Sequence, residues 1–338
     1  MTPKRRVVMA DVAKASDVSL QTVSRVLNGS AGVQAAKKER VLKAVRELGY
    51  HPNLAARSLA SSRSGVIGVL IAGHPHHGMV DTLMAVEAAA REAGYYVVIA
   101  TEERSRPELV RDAYVYLQHL QVECVVVLAE SGRVVPVVQG VYERPPTVLV
   151  LAGQRDLDGI STVSIDQVAG GRMAAAHLAD CGYRDILHLT GDLGWQDATD
   201  RLKGFRAYCR GAGIEPRVVE GRSWDPAEGY RAGLKILAQG MPRAVFAGND
   251  HLALGLLHAI SEAGLRVPDD VAVMGFDDVL GAAWYSPPLS SVRQDFRAIG
   301  ENAIDLVADL IEGKEHRNVH IAAEVVPRFS TLGRVTQE

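Results

Sequence analysis

The chain lacks the features that mark several large classes of protein. Its three cysteines, Cys124, Cys181 and Cys209, are odd in number and show neither CxxC nor Cys/His metal spacing. That excludes a disulfide frame and reads as buried thiols in a reducing cytosol. Long apolar runs are missing. The longest, such as Val66–Ala72 and Cys124–Ala129, are strand-length and far short of a membrane span. Lys4-Arg5-Arg6 is not followed by an apolar stretch, so no signal peptide is expected and a cytoplasmic location is. No Gly-rich phosphate loop, Ser-His-Asp order or zinc spacing is present, and no cofactor is expected. There is no low-complexity tract.

What is there is unevenly charged. The 338 residues carry a formal charge of −3. Residues 1–63 hold 12 Lys/Arg against 4 Asp/Glu, and the remainder holds 25 against 36. A basic head on an acidic body points to a polyanion met only by the head, or to a solvated basic face.

Helical periodicity dominates residues 8–50. Val41, Ala44, Val45 and Leu48 fall on one face, with Gly49 as a stop and Pro52 beyond. Residues 16–28 read as a turn feeding a short helix. Val18, Val23, Val26 and Leu27 form its apolar back, while Gln21, Thr22, Ser24, Arg25 and Asn28 supply polar groups able to meet base edges. Ser19 is placed to cap it. This is the pattern of a helix-turn-helix recognition element, which needs double-stranded DNA as partner. Asn53–Ala60 is a second short helical pattern, too short to persist without a partner, followed by a loose linker at 61–65.

From Val66 the texture changes to apolar runs alternating with helices. Strands are predicted at Val66–Ile71, Tyr96–Ala100, Cys124–Leu128 and Thr147–Leu151, then at Ile186–Thr190, Arg217–Val219, Ala244–Ala247 and Val271–Gly275. Two such series predict two doubly wound parallel α/β subdomains with a cleft between them. Ligands bind beyond the carboxyl ends of such strands. Asp166, Arg201, Trp224, Asn249, Asp277 and Gln294 sit at or near those ends. Carboxylates, amides, one Arg and one Trp suit a polyhydroxylated ligand. Each has another reading. Trp224 could be surface packing, and one of Asp277-Asp278 a turn or helix cap. A glycosidase pair is disfavoured because adjacent residues point apart. His74-Pro75-His76-His77 reads as a flexible loop at the cleft mouth or, less well, as metal ligands.

Val-Ser-Leu-Gln-Thr-Val-Ser-Arg-Val-Leu-Asn-Gly (18–29), Leu-Gly-Tyr-His-Pro-Asn (48–53), Ala-Arg-Ser-Leu-Ala (56–60), Asn-Asp-His-Leu-Ala-Leu-Gly (249–255), Gly-Phe-Asp-Asp (275–278) and Pro-Pro-Leu-Ser-Ser-Val-Arg-Gln-Asp-Phe (287–296) together resemble the lactose repressor family of bacterial transcription regulators. The likeness spans almost the whole chain, and 249–300 is closest to the family's lactose-responsive branch. The resemblance implies an all-α helix-turn-helix head at 1–52 and a hinge helix with linker at 53–64. A periplasmic-binding-protein-like core follows, its N-subdomain at 65–165 and 296–323 and its C-subdomain at 166–295 and 324–338. It implies DNA contacts from Ser19, Leu20, Gln21, Thr22, Ser24, Arg25, Asn28, Asn53 and Ala56, with Leu59 as a minor-groove wedge. It implies effector contacts from His76, Asp166, Arg201, Trp224, Asn249, Asp277, Gln294 and Phe296.

Departures matter too. Leu20 stands where the lactose-responsive branch has Tyr, Val8 where the first helix usually has a Ser/Thr cap, and Asp17 where the turn often has Gly. Ala72 and the neighbourhood of Leu151 lack expected polar groups, so the N-subdomain's half of the pocket should be less polar. The C-terminal Leu-heptad helix of tetrameric members is not seen, so a homodimer is expected. The function implied is a repressor released from a pseudo-palindromic operator by a galactoside-like sugar. The alternatives are a corepressed regulator of the purine-binding branch and a solute-binding protein. An enzyme is not expected.

Overall fold

A computed structural model describes residues 7–27, 32–50, 63–74, 76–102, 106–153 and 157–332. Its two compact units divide between Ser64 and Gly65.

The first unit is helical. α1 (Met9–Ser16), α2 (Leu20–Leu27) and α3 (Ala35–Leu48) enclose Val12, Val23, Val26, Val41, Ala44 and Tyr50. Val8 cannot cap α1 through its side chain. The Asp11 carboxylate closes that end instead, accepting from the Val8 N–H at 2.9 Å. The α1–α2 turn is made by Asp17 with φ 50°, ψ 53°, a left-handed conformation that Asp adopts at little cost. Ser19 Oγ accepts from the Thr22 N–H at 3.2 Å, satisfying one of the free donors of α2. Gly49, at φ 61°, ends α3.

The second unit contains two six-stranded sheets. The first has the order β11-β5-β4-β3-β1-β2 and is parallel throughout. Its strands are β1 (Val66–Ala72), β2 (Tyr96–Glu102), β3 (Cys124–Ala129), β4 (Thr147–Val150), β5 (Ser161–Ile165) and β11 (Asn318–Ile321). The second has the order β12-β10-β9-β8-β6-β7, with β12 alone antiparallel. It contains β6 (Ile186–Asp192), β7 (Arg217–Gly221), β8 (Ala244–Ala247), β9 (Ala272–Asp277), β10 (Ser290–Arg293) and β12 (Glu324–Val326). The described helices of this unit are α4 (His77–Glu92), α5 (Pro107–His119), α6 (Val134–Gln139), α7 (Gln167–Asp180), α8 (Gln196–Gly211), α9 (Pro226–Gln239), α10 (Asp250–Glu262), α11 (Phe296–Ile311) and α12 (Phe329–Leu332).

Strands buried on both faces explain the continuous Val/Ile/Leu runs: Ile67, Val69, Leu70 and Cys124–Leu128 are all buried. The chain passes between the sheets after β5, after β10 and after β11. The strand order reverses at β1/β3 in one sheet and at β6/β8 in the other. Loops leaving the strands diverge at such a switch point, which opens a crevice there. β9 runs two residues further than its apolar pattern, so Asp277 ends the strand rather than following it.

Candidate functional site

One cavity lies at the carboxyl ends of the strands, enclosing about 660 Å³ of space that opens to solvent. His76, Arg201, Trp224, Asn249, Asp277, Gln294 and Phe296 all line it. Asp166 does not. Its carboxylate caps α7, accepting from the Ala169 N–H at 2.8 Å, and it borders a neighbouring opening with Gln196, Asp200 and Lys203. A free helix N-terminus took this carboxylate, and the cavity receives the next residue, Gln167.

The polar wall is built as a closed ring of side chains. Arg201 Nε donates to Gln167 Oε1 at 2.8 Å. Gln167 Nε2 donates to Gln294 Oε1 at 2.7 Å, and Gln294 Nε2 donates to Asp277 Oδ1 at 2.6 Å. Arg201 Nη2 stands 3.6 Å from that same Oδ1. Arg201 Nη1 donates to the Gly248 carbonyl, and its guanidinium lies 3.7 Å from the centre of the Phe276 ring. Arg201 is 4% exposed and Asp277 6%. A buried ion pair needs such further bonds to repay its lost hydration. Burial lowers the Arg201 pKa and raises that of Asp277, while their mutual attraction opposes both shifts.

Asp277 holds its position with φ 105°, in the left-handed region that favours glycine. The neighbouring Asp278 turns away to Arg293 Nη2 at 2.7 Å and Arg328 Nη1 at 2.6 Å. The two carboxylates therefore divide a site role and a structural one, and they do not form a glycosidase pair.

Asn249 caps α10 through Oδ1, which accepts from the Leu252 N–H at 2.8 Å. Its Nδ2 donates to the Trp224 carbonyl at 3.2 Å. Trp224 is not surface packing. Its indole covers Gly191, where any Cβ would meet the ring at 2.4 Å, and its buried Nε1 has no partner among the described residues. His76 stands at the start of α4 with its ring 4.6 Å from that of Trp195 and 6.1 Å from that of Trp224. It belongs to the cavity wall, not to a loose loop, because three aromatic faces bury one another there. Burial, and then the charge of Arg201, push its pKa down to about 4, so the ring is neutral at physiological pH.

The rest of the lining is mainly apolar, from Met79, Leu128, Val150, Leu151 and Ile165 to Phe296 and Ile299, and its two hydroxyls, Thr82 and Ser164, are engaged with the Gly78 carbonyl and His320. Sequence reasoning missed Gln167, Trp195 and Asp197. For Asp197 a signal existed, since it precedes Arg201 by four residues and so shares its helix face.

In the first unit, α2 buries Val23 and Val26 and exposes Leu20, Gln21 and Arg25. Thr22 and Ser24 are half-buried. Leu20 is 53% exposed. Asn28, Asn53, Ala56 and Leu59 lie outside the described residues.

A helix-turn-helix unit and a two-sheet core with a cavity at its strand ends, in one chain, are the parts of a DNA-binding regulator. Family models agree on both parts. Residues 8–53 match the bacterial regulatory proteins of the lacI family, and residues 175–331 match the periplasmic binding protein-like domain. The chain is 32% identical to the lactose operon repressor of Escherichia coli (strain K12), over 98% of this chain and 92% of that one. It is also 32% identical to the transcriptional repressor PurR of Histophilus somni (strain 129Pt), over 95% and 97%. Among solved structures, the lac repressor dimer bound to operator and the anti-inducer ONPF superposes with a TM-score of 0.85 at 30% identity, covering 97% of this chain and all of that one. The regulator CelR in complex with cellobiose gives 0.70 at 28% identity, covering 96% and 100%.

The chain belongs to the lacI family and is a DNA-binding transcriptional repressor of that family. Among the described residues, no helix is long and apolar enough to cross a membrane.

Proposed function

We propose that this repressor binds a pseudo-palindromic operator as a homodimer and is released from it by a saccharide held in the core cavity. The observation that carries the reading is the asymmetry of that cavity. On one side a ring of Arg, Asp and two Gln holds planar polar groups in fixed orientation, with the Trp224 face and its unpartnered Nε1 beside it. Such groups take sugar hydroxyls bidentately, and an indole face packs on a sugar's C–H surface. On the other side the mainly apolar lining from Met79 to Ile299, with the Thr82 and Ser164 hydroxyls already engaged, suits a less polar substituent of a galactoside-like ligand.

Leu20, Gln21 and Arg25 are the base readers of this reading, with Ser19, Thr22, Ser24 and Asn28 fixing α2 in the major groove. Asn53, Ala56 and Leu59 contact the operator centre, where Leu59 wedges into the minor groove. The segments 65–165 with 296–323 and 166–295 with 324–338 act as the moving subdomains, and 53–64 as the hinge. The switch works by differential affinity, because a ligand shifts only those states that it binds unequally.

The homodimer is supported by the lac repressor dimer that the chain resembles. Exposed Val80, Met84, Tyr96 and Ile99 on α4 and β2 offer an apolar surface for it. Sedimentation should give a dimer at micromolar concentration, and a stable tetramer would refute it.

The direct test selects DNA from a randomised palindromic pool with the purified protein, then titrates the complex with saccharides. Release by at least one of them is expected. If no ligand that binds the core alters DNA affinity, the switch is wrong. Equal identity to PurR keeps corepression as the second reading. A purine that tightens DNA binding would favour it.

A further inference from the structure

We propose that the saccharide carries an amine, and that the Asp197 carboxylate binds it as an ammonium group. This deepens the reading above and rests on it. The other polar groups of the wall bond one another, which leaves lone pairs and N–H groups for hydroxyls but no free charge. Arg201 is shared among Gln167, Gly248 and Asp277, Gln294 bridges Gln167 to Asp277, and Asn249 is divided between Leu252 and Trp224. They fix the shape of the wall more than they advertise free charge.

Asp197 differs. It stands on α8 one turn before Arg201, lines the same cavity, and receives no hydrogen bond from any described residue. Its neighbours on the helix are occupied with each other, Gln196 Nε2 donating to Asp200 Oδ1 at 3.0 Å.

Charge decides between an amine and a hydroxyl. The lining holds two carboxylates, Asp197 and Asp277, against one guanidinium, Arg201. The His76 ring is neutral and adds no positive charge. A neutral sugar can donate hydrogen bonds to Asp197 but brings no charge, so when the cavity closes that carboxylate is offset only in part, by the N-terminus of α8 whose first turn it occupies. Burying an unpaired charge is costly. An ammonium group supplies three donors and the missing charge together, and charge-assisted hydrogen bonds are about twice as strong as neutral ones. Burial already resists ionisation of Asp197, with Asp277 and Asp200 adding to the resistance and Arg201 opposing it. A cationic ligand removes that penalty.

The test measures binding of matched sugars to the full-length protein at neutral pH by calorimetry. Galactose, glucose and mannose are each compared with the 2-amino and the N-acetylamino form. At least one amine should bind about tenfold or more tightly than both its hydroxyl and its N-acetyl counterpart. In Asp197→Asn that preference should vanish, the amine losing affinity and the neutral sugar gaining some as the uncompensated charge is removed. Asp197→Ser, smaller and also uncharged, repeats the measurement should the Asn variant fold poorly. Equal binding of amine and hydroxyl, or a preference that survives both variants, overturns the proposal and leaves the saccharide reading standing. If no sugar of any kind binds, both fall.

Discussion

Asp197 puts a carboxylate where burial holds its pKa up to about 6, against an ordinary value of 3.8. The sign of the consequence is fixed. A carboxyl whose pKa is raised by folding binds more protons folded than unfolded, so it destabilises the fold above the raised value and is neutral below the ordinary one. Asp197→Asn should therefore stabilise the unliganded core by about 1–2 kcal/mol at pH 7. The gain should fade between pH 6 and about pH 4, as the folded carboxyl takes up its proton while the unfolded one is still ionised, and be gone below that, where both are protonated. Thermal melts at the two ends of that range check it, and an equal gain at both would show that charge burial is not the cause. Arg201 behaves oppositely. Arg201→Met leaves Asp277 buried without its cation and Gln167 Oε1 without its donor. Losing one partner of a buried pair costs about 3–5 kcal/mol, readable as a lower denaturation midpoint at unchanged slope. Sequence pattern placed Arg201 and Asp277 at the strand ends, but not the Gln167–Gln294 link between them. That link joins residues 127 apart in sequence, and only the fold brings them together.

At the scale of elements, helix faces and strand runs were legible because both rest on periodicity. What periodicity does not carry is how closely two helices approach. α7 and α8 touch backbone to backbone. A Cβ on Gly171 would lie 2.1 Å from the Arg201 carbonyl, and one on Gly204 would lie 1.9 Å from that of Val168. α9 and α10 repeat the arrangement, with Gly229 against Leu252 and Gly255 against Pro226. Glycine is required at these positions for space, not for backbone freedom, since neither helix is strained there. The first contact involves Arg201 itself, so helix spacing sets the position of the guanidinium. Gly171→Ala should push α8 outward, costing about 1–3 kcal/mol as an overpacked contact. It should also weaken effector binding more than an alanine at exposed Lys203 on the same helix. Calorimetry on both variants decides it, and equal effects would separate helix spacing from the site. The short strands β10, β11 and β12 were the least legible elements. They are three or four residues long, β11 and β12 are edge strands, and β10 is Ser-Ser-Val-Arg, so they carry little alternation and little apolar signal.

Over the whole molecule the net charge of −3 conceals a division of labour, with Lys and Arg in excess only in residues 1–63. Counterion release makes operator affinity fall steeply with salt, by about 10³–10⁵ between 50 and 200 mM for 6–10 phosphate contacts. A ligand in a buried cavity is screened far less. Salt therefore offers a way to test whether the two functions are coupled or merely share a chain. If effector and operator act through one equilibrium, each must change the other's affinity by the same factor, typically 5–150-fold. Saturating the protein with operator at low salt should weaken effector binding by the factor by which effector weakens operator binding. Raising salt until the DNA dissociates should restore full effector affinity, with no change in the DNA-free protein. Effector titrations by tryptophan fluorescence, with Trp224 in the cavity wall as reporter, would give both affinities in one experiment. Unequal factors would mean that ligand and DNA do not share the two-state equilibrium on which release depends.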